Sequence, residues 1–143
     1  MRAAARPTGY IAAVPWAEIF DVFVVSHLVG DFLLQTQWQA MNKFGGLGGD
    51  GEPRALVTHV CTYTLAFVPA FIWLAGSLGA WTIGVAALVA IPHLVQDDGR
   101  LLRLWIREVK RSDDIPRGDW VFTAIDQSFH ALALFLVALL AAR

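Results

Sequence analysis

The sequence predicts an all-α fold: a polytopic membrane protein built as a four-helix, up-and-down transmembrane bundle. Three observations lead there. Of 143 residues, 57% are hydrophobic and only 16% charged, where an ordinary soluble domain is about 45–50% apolar and about 25% charged. From Ala55 to Gln96, 42 consecutive residues contain no Asp, Glu, Lys or Arg, enough for two spans of about 20 residues each. Within the apolar stretches, polar side chains recur at intervals of four, which stacks them on one face of a helix.

The first helix is expected over about 15–43, entering at Pro15. Arg2 and Arg6 ahead of an apolar stretch resemble a signal peptide, but Pro15, Glu18 and Asp21 interrupt it, so the segment reads as retained. GGLGGDGEP (45–53) reads as a flexible linker. The second helix covers about 54–75 with a kink at Pro69, and Gly76-Ser77-Leu78-Gly79 forms the turn after it. The third covers about 79–111 with a kink at Pro92. In its last third, Arg100, Arg103, Arg107 and Lys110 alternate with leucines and Trp105, as in a helix leaving the bilayer along the interface. After the polar loop SDDIPRGD, the fourth helix fills about 119–142. No length remains for a second unit, so 1–143 reads as one membrane domain.

Orientation follows from charge. An up-and-down path places both termini and the 76–79 turn on one side, with Arg2, Arg6 and Arg143. The other side carries Lys43, Arg54, Arg100, Arg103, Arg107, Lys110, Arg111 and Arg117. Eight cations against three put the long loops in the cytoplasm and both termini outside, in a cell (inner) membrane protein. A net charge of −1 gives no reason to expect nucleic acid. Cys61, the only cysteine, excludes an internal disulfide.

All four histidines fall inside the expected spans, one per helix. His27 and Asp31, His93 and Asp97, and Asp126 and His130 are each four apart, and His59 completes the set. Counted from Trp38, Arg54, Arg100 and Asp119, these residues lie three to eleven positions deep, a slab on the order of 12 Å at ~1.5 Å per residue. Ionisable groups in hydrocarbon are expensive, and seven at matching depth suggest one site. Imidazole and carboxylate at i,i+4 are a standard pair of metal ligands. The expected ligands are therefore His27, Asp31, His59, His93, Asp97, Asp126 and His130, around one or two divalent transition-metal ions, zinc favoured. Gln35, Gln96, Thr123 and Gln127 extend the same stripes and are candidates for orienting the ligands. The bland alternative is that the polar residues are hydrogen-bonding glue between helices.

The strings SHLVGDFLLQTQW, PHLVQD and DQSFH, with His59 between the first two, resemble a family of small bacterial and phage membrane proteins catalogued as domain of unknown function 3307. Its pattern is an HxxGDFxLQ-type first helix followed by Asn-Lys, an HxxxD in the third helix and a DQxxH in the last. Here these are His27, Gly30, Asp31, Phe32, Gln35, Asn42, Lys43, His93, Asp97, Asp126, Gln127 and His130. The chain is similar, more distantly, to membrane-bound metal-dependent hydrolases, a resemblance that implies a metal site and supplies no substrate. The expected activity is hydrolysis of a lipid or membrane-proximal phosphoester or acyl substrate by metal-activated water, with Asp31, Asp97 or Asp126 as general base. A metal or proton transporter and a purely structural subunit are the rivals. The outer halves of the second and fourth helices, 66–75 and 131–142, offer no polar track, which favours the enzyme. The bilayer is the expected partner, and the sequence leaves a homo-oligomer open.

Overall fold

A computed structural model describes residues 14–112 and 115–142. Arg2, Arg6 and Arg143, on which the charge count at the termini rests, lie outside the described residues. Among the described residues the fold is all helical: seven α-helices, one π-helical segment and no strand.

The expected helix over 15–43 is divided. α1 runs Trp16–Leu28 behind Pro15, whose extended ψ suits an N-cap, and passes directly into the π segment Val29–Leu33. There Leu34 N–H bonds the Val29 carbonyl at 2.9 Å, five residues back. α2, Gln37–Asn42, then restarts from a capping box. Thr36 Oγ1 accepts from Gln39 N–H, and Gln39 Oε1 accepts from Thr36 N–H. A local cap of this kind offers the chain a fresh helix start in place of continuation.

The second expected helix is also two: α3 (Pro53–Ala66) and α4 (Val68–Leu78), bent by 55°. The break falls at Phe67, because Pro69 occupies the first turn of α4, where proline is tolerated. The turn after it begins at Gly79 (φ +55), with 76–78 still helical.

α5 (Trp81–Asp97) continues as helix through Pro92, and the expected helix over 79–111 is interrupted further on. Gly99 (φ +71) ends the run and α6 (Arg100–Val109) follows. Gly99 has two reasons to be glycine: a positive φ, and a Phe44 ring where a Cβ would sit. α7, Trp120–Ala141, starts where Asp119 Oδ1 accepts from Val121 N–H at 2.7 Å.

The glycine-rich segment 45–53 is not a free linker. Gly45 N–H bonds the Asp98 carbonyl (2.8 Å), Leu47 N–H bonds Asp98 Oδ1 (2.8 Å), and Glu52 N–H bonds the Asn42 carbonyl (2.9 Å). The loop is thereby fastened across the α5–α6 junction.

α1 packs on α7, α7 on α5, α5 on α3, and α3 on the π segment that continues α1, closing a ring of helices. Ile19, Phe23, Tyr63, Phe67, Leu74 and Leu134 fill one end of that ring. Gly30 lets the π segment approach α3, since a Cβ there would lie 2.7 Å from the Tyr63 ring. A smaller cluster, Leu102, Ile106 and Phe122, seats α6 against α7. Between the two clusters lie the polar residues.

Candidate metal centre

Four side chains from three elements converge on one point: Asp31 from the π segment, His59 from α3, and His93 and Asp97 from one face of α5. All four are buried, and one ligand atom from each lies within 4.8 Å of the others. His59 Nε2 is 2.7 Å from Asp97 Oδ2 and 3.3 Å from Asp31 Oδ1. His93 Nε2 is 3.1 Å from Asp97 Oδ2 and 3.6 Å from Asp31 Oδ1. The two Nε2 atoms are 3.1 Å apart. Ligands of a tetrahedral ion with bonds of about 2.1 Å stand about 3.4 Å from one another. The donor set therefore fits an ion of that size.

His130 borders the same centre. Its Nδ1 donates to the Asp126 carbonyl at 2.9 Å, which puts a ring proton on Nδ1 and, in the neutral ring, leaves a bare lone pair on Nε2. That Nε2 faces Asp97 Oδ1 at 3.5 Å, and both atoms are buried without a hydrogen-bond partner. Two acceptors facing one another require a proton or a cation between them.

His27 is otherwise engaged. In the neutral ring, Nε2 donates to Gln127 Oε1 (2.8 Å) and Nδ1 accepts from the Tyr63 hydroxyl (3.2 Å). Gln127 in turn donates to Asp31 Oδ2 at 3.4 Å, so His27 reaches the centre through a side chain that orients Asp31. Asp126 is half-buried, its Oδ1 3.9 Å from His130 Nδ1, outside the group of four. Gln35 accepts from Lys43. Gln96 donates to the Phe129 carbonyl, and Thr123 to the Asp119 carbonyl.

A family model described as protein of unknown function (DUF3307) matches residues 19–143, which include every residue of this cluster. The chain belongs to that family. Neither the curated proteins nor the solved structures yield a match, and none of these comparisons supports the likeness to metal-dependent hydrolases. In this DUF3307 member, the HxxGDFxLQ, Asn-Lys, HxxxD and DQxxH strings bring Asp31, Lys43, His93, Asp97 and His130 to one buried cluster, while Phe32 is exposed and Asn42 bonds the Trp38 carbonyl.

Two residues of the site were not among the candidates. Lys43 is buried, and its Nζ donates to Asp97 Oδ2 at 2.9 Å and to Gln35 Oε1 at 3.2 Å. At the sequence level it counts as a boundary charge, and only the restart at Thr36 folds it back over the cluster. Tyr63 stacks on His93, with ring centroids 3.3 Å apart and planes 5° from parallel. Its signal was available: Tyr63 follows His59 by four residues, on the same helix face. The stacking fixes the His93 ring, which matters because neither His59 Nδ1 nor His93 Nδ1 has the acceptor that commonly orients a metal-bound imidazole.

More than one cavity borders the cluster: an apolar one of about 420 Å³, lined by residues of α5, α6 and α7, reaches Asp126. A cavity of about 440 Å³ runs from Asp31, Asp126 and Gln127 past Lys43 to Phe44 and Arg117 at the loop end. Behind the cluster, Tyr63, Phe67, Phe23 and Leu134 form apolar core.

Proposed function

We propose that this chain is an integral membrane protein whose core binds a divalent transition-metal ion, zinc favoured, and uses it to hydrolyse a lipid or membrane-proximal ester. The observation that carries the metal is charge together with geometry. The buried Asp31 and Asp97 with the half-buried Asp126, against Lys43, leave two negative charges at the cluster when the histidines are neutral, which one divalent cation balances. The imidazole nitrogens of His59 and His93 stand 2.7–3.6 Å from carboxylate oxygens of Asp31 and Asp97, and all four ligand atoms lie within 4.8 Å of one another, close enough to share such an ion, with His130 facing the second oxygen of Asp97.

The membrane setting is supported by α7, long and apolar enough to cross, of whose most apolar stretch only 28% is buried within the protein. α3 and α4 pass the same test as a bent pair. Ile72, Ile83 and Leu136 point outward, as lipid-facing residues would. In this reading α1 with its π segment, α3–α4, α5 and α7 are four spans, with the long loops cytoplasmic.

Hydrolysis is favoured over transport by the apolar core at the far end of the ring, which offers no polar track beyond the cluster among the described residues. A metal that activates water needs a position open to solvent. Asp31 has the longest separations from the two imidazoles and lines the cavity, so water reaches the ion on that side. Asp126 lines the same cavity outside the group of four, and in this reading it serves as the general base.

The test uses zinc-loaded protein in lipid nanodiscs with p-nitrophenyl phosphate and p-nitrophenyl butyrate as probes. Asp126→Asn should keep its metal and lose roughly 100-fold or more of the hydrolysis rate, the scale of a general base. Hydrolysis of neither ester by the wild type, or equal rates in Asp126→Asn, contradicts the enzymatic reading.

A further inference from the structure

The arginines of α6 and of the loop before α7 are not spread evenly over the surface. Arg100, Arg103 and Arg107 lie on one side of α6, whose Leu102 and Ile106 are buried on the other. Across from them stands Arg117. Together with Ser112 and Ile115 they line a cleft of about 460 Å³, and among the described residues no carboxylate lines it. Two of the four guanidinium groups are engaged: Arg100 by Asp98 and the Leu47 carbonyl, and Arg107 by its neighbour Glu108.

Arg103 and Arg117 face the cleft as like charges. Arg117 stacks over the Phe44 ring at 4.9 Å, which covers its flat face and leaves its N–H edge for a ligand. Burial and the charge of Arg103 both pull the Arg117 guanidinium below its ordinary value, opposed by Asp50. Repulsion held in place by the fold is relieved by an anion between the two groups. Two guanidinium forks match the oxygens of a phosphate better than a single carboxylate.

We propose that Arg103 and Arg117 bind a phosphate monoester in this cleft, with Ser112 as a further polar contact. Phe122 and Arg117 line both the cleft and the cavity that leads to Asp31 and Asp126. A phosphate-bearing headgroup seated here would present its ester end to that cavity. As an anion site the cleft stands by itself; as the headgroup subsite of the metal centre it rests on the hydrolase reading.

The experiment titrates the full chain, purified in maltoside detergent, with short-chain phosphatidic acid, inorganic phosphate and decanoate, an anionic amphiphile without phosphate. Phosphatidic acid should bind, and Arg103→Gln/Arg117→Gln should weaken it roughly tenfold or more while Arg54→Gln, at an exposed position that does not line the cleft, leaves it unchanged. Inorganic phosphate binding as tightly as phosphatidic acid would assign the cleft to a soluble phosphate compound, and much weaker binding to a lipid.

Decanoate binding as tightly as phosphatidic acid, or Arg54→Gln costing as much as the double variant, would reduce the cleft to a general basic surface and overturn the proposal. Asp113→Asn/Asp114→Asn is run alongside, since those carboxylates lie in the same loop outside the described residues. Binding by that variant alone, or no binding by any form, also overturns it. Metal content measured on the same samples separates the two ideas: the arginine variant should keep the wild-type metal content, and a wild type without metal would refute the metal centre while leaving the phosphate result intact.

Discussion

Asp31 owes its position to the backbone around it. The π segment adds one residue to the turn and carries the carboxylate over α3 toward His59, while Gly30 lets the chain come close enough for that contact. π segments of this kind are frequent at functional sites. Gly30→Ala would place a methyl group 2.7 Å from the Tyr63 ring, the ring that clamps His93. Overpacking of this kind costs about 1–3 kcal/mol. Gly30→Ala should therefore both lower the melting temperature and weaken metal retention, measured by a melt and by metal analysis of the same preparation. A stable variant with full metal content would mean that Tyr63 does not position His93. The histidine–aspartate spacing was legible at this scale, because a helix turns i and i+4 onto one face whatever else surrounds it. The place of each residue was less so: His27 has the same i+4 aspartate as His93, yet Gln127 and Tyr63, distant in sequence, take up both of its nitrogens.

Among the elements, four long apolar stretches were visible, and the breaks within them were not. Hydropathy reports burial and is blind to whether a helix continues, so α1 and α2 merged into one expected helix. The signal that separates them is chemical and local: Thr36 followed three residues later by Gln39 is a capping box. Proline was a partial guide. The 55° bend between α3 and α4 falls at Phe67, just ahead of Pro69, where a proline kink is expected, whereas α5 continues as helix through Pro92 and the next interruption is at Gly99. Thr36 also matters to the site, because α2 delivers Lys43 to Asp97. Thr36→Ala should destabilise the protein by about 1 kcal/mol, and Thr36→Ser should restore most of it. Denaturant titration of the three proteins checks this; equal stability would mean that α2 is held by its Gln39 bonds to Thr58 and Thr62 alone.

At the scale of the whole molecule, the ring of helices has an apolar end and a polar end that meet at the cluster. In lipid there is little hydrophobic drive for helices to associate, so packing and interior polar contacts hold a bundle together. A cluster of carboxylates with too few cations would push its helices apart, and an ion at its centre would turn the same residues into the point that joins the π segment, α3 and α5. The glue reading and the metal reading thus predict different things of one object. Asparagine in place of Asp31 keeps the size and the hydrogen-bonding capacity and removes the charge a metal requires.

Zinc K-edge X-ray absorption on the purified, zinc-loaded protein decides between them. The account predicts about one zinc per chain with nitrogen and oxygen scatterers at about 2.0–2.2 Å and the outer-shell signature of at least two imidazoles, all lost in Asp31→Asn while the variant stays folded. A shell of oxygens without imidazole, or a spectrum and zinc content unchanged in Asp31→Asn, would contradict it.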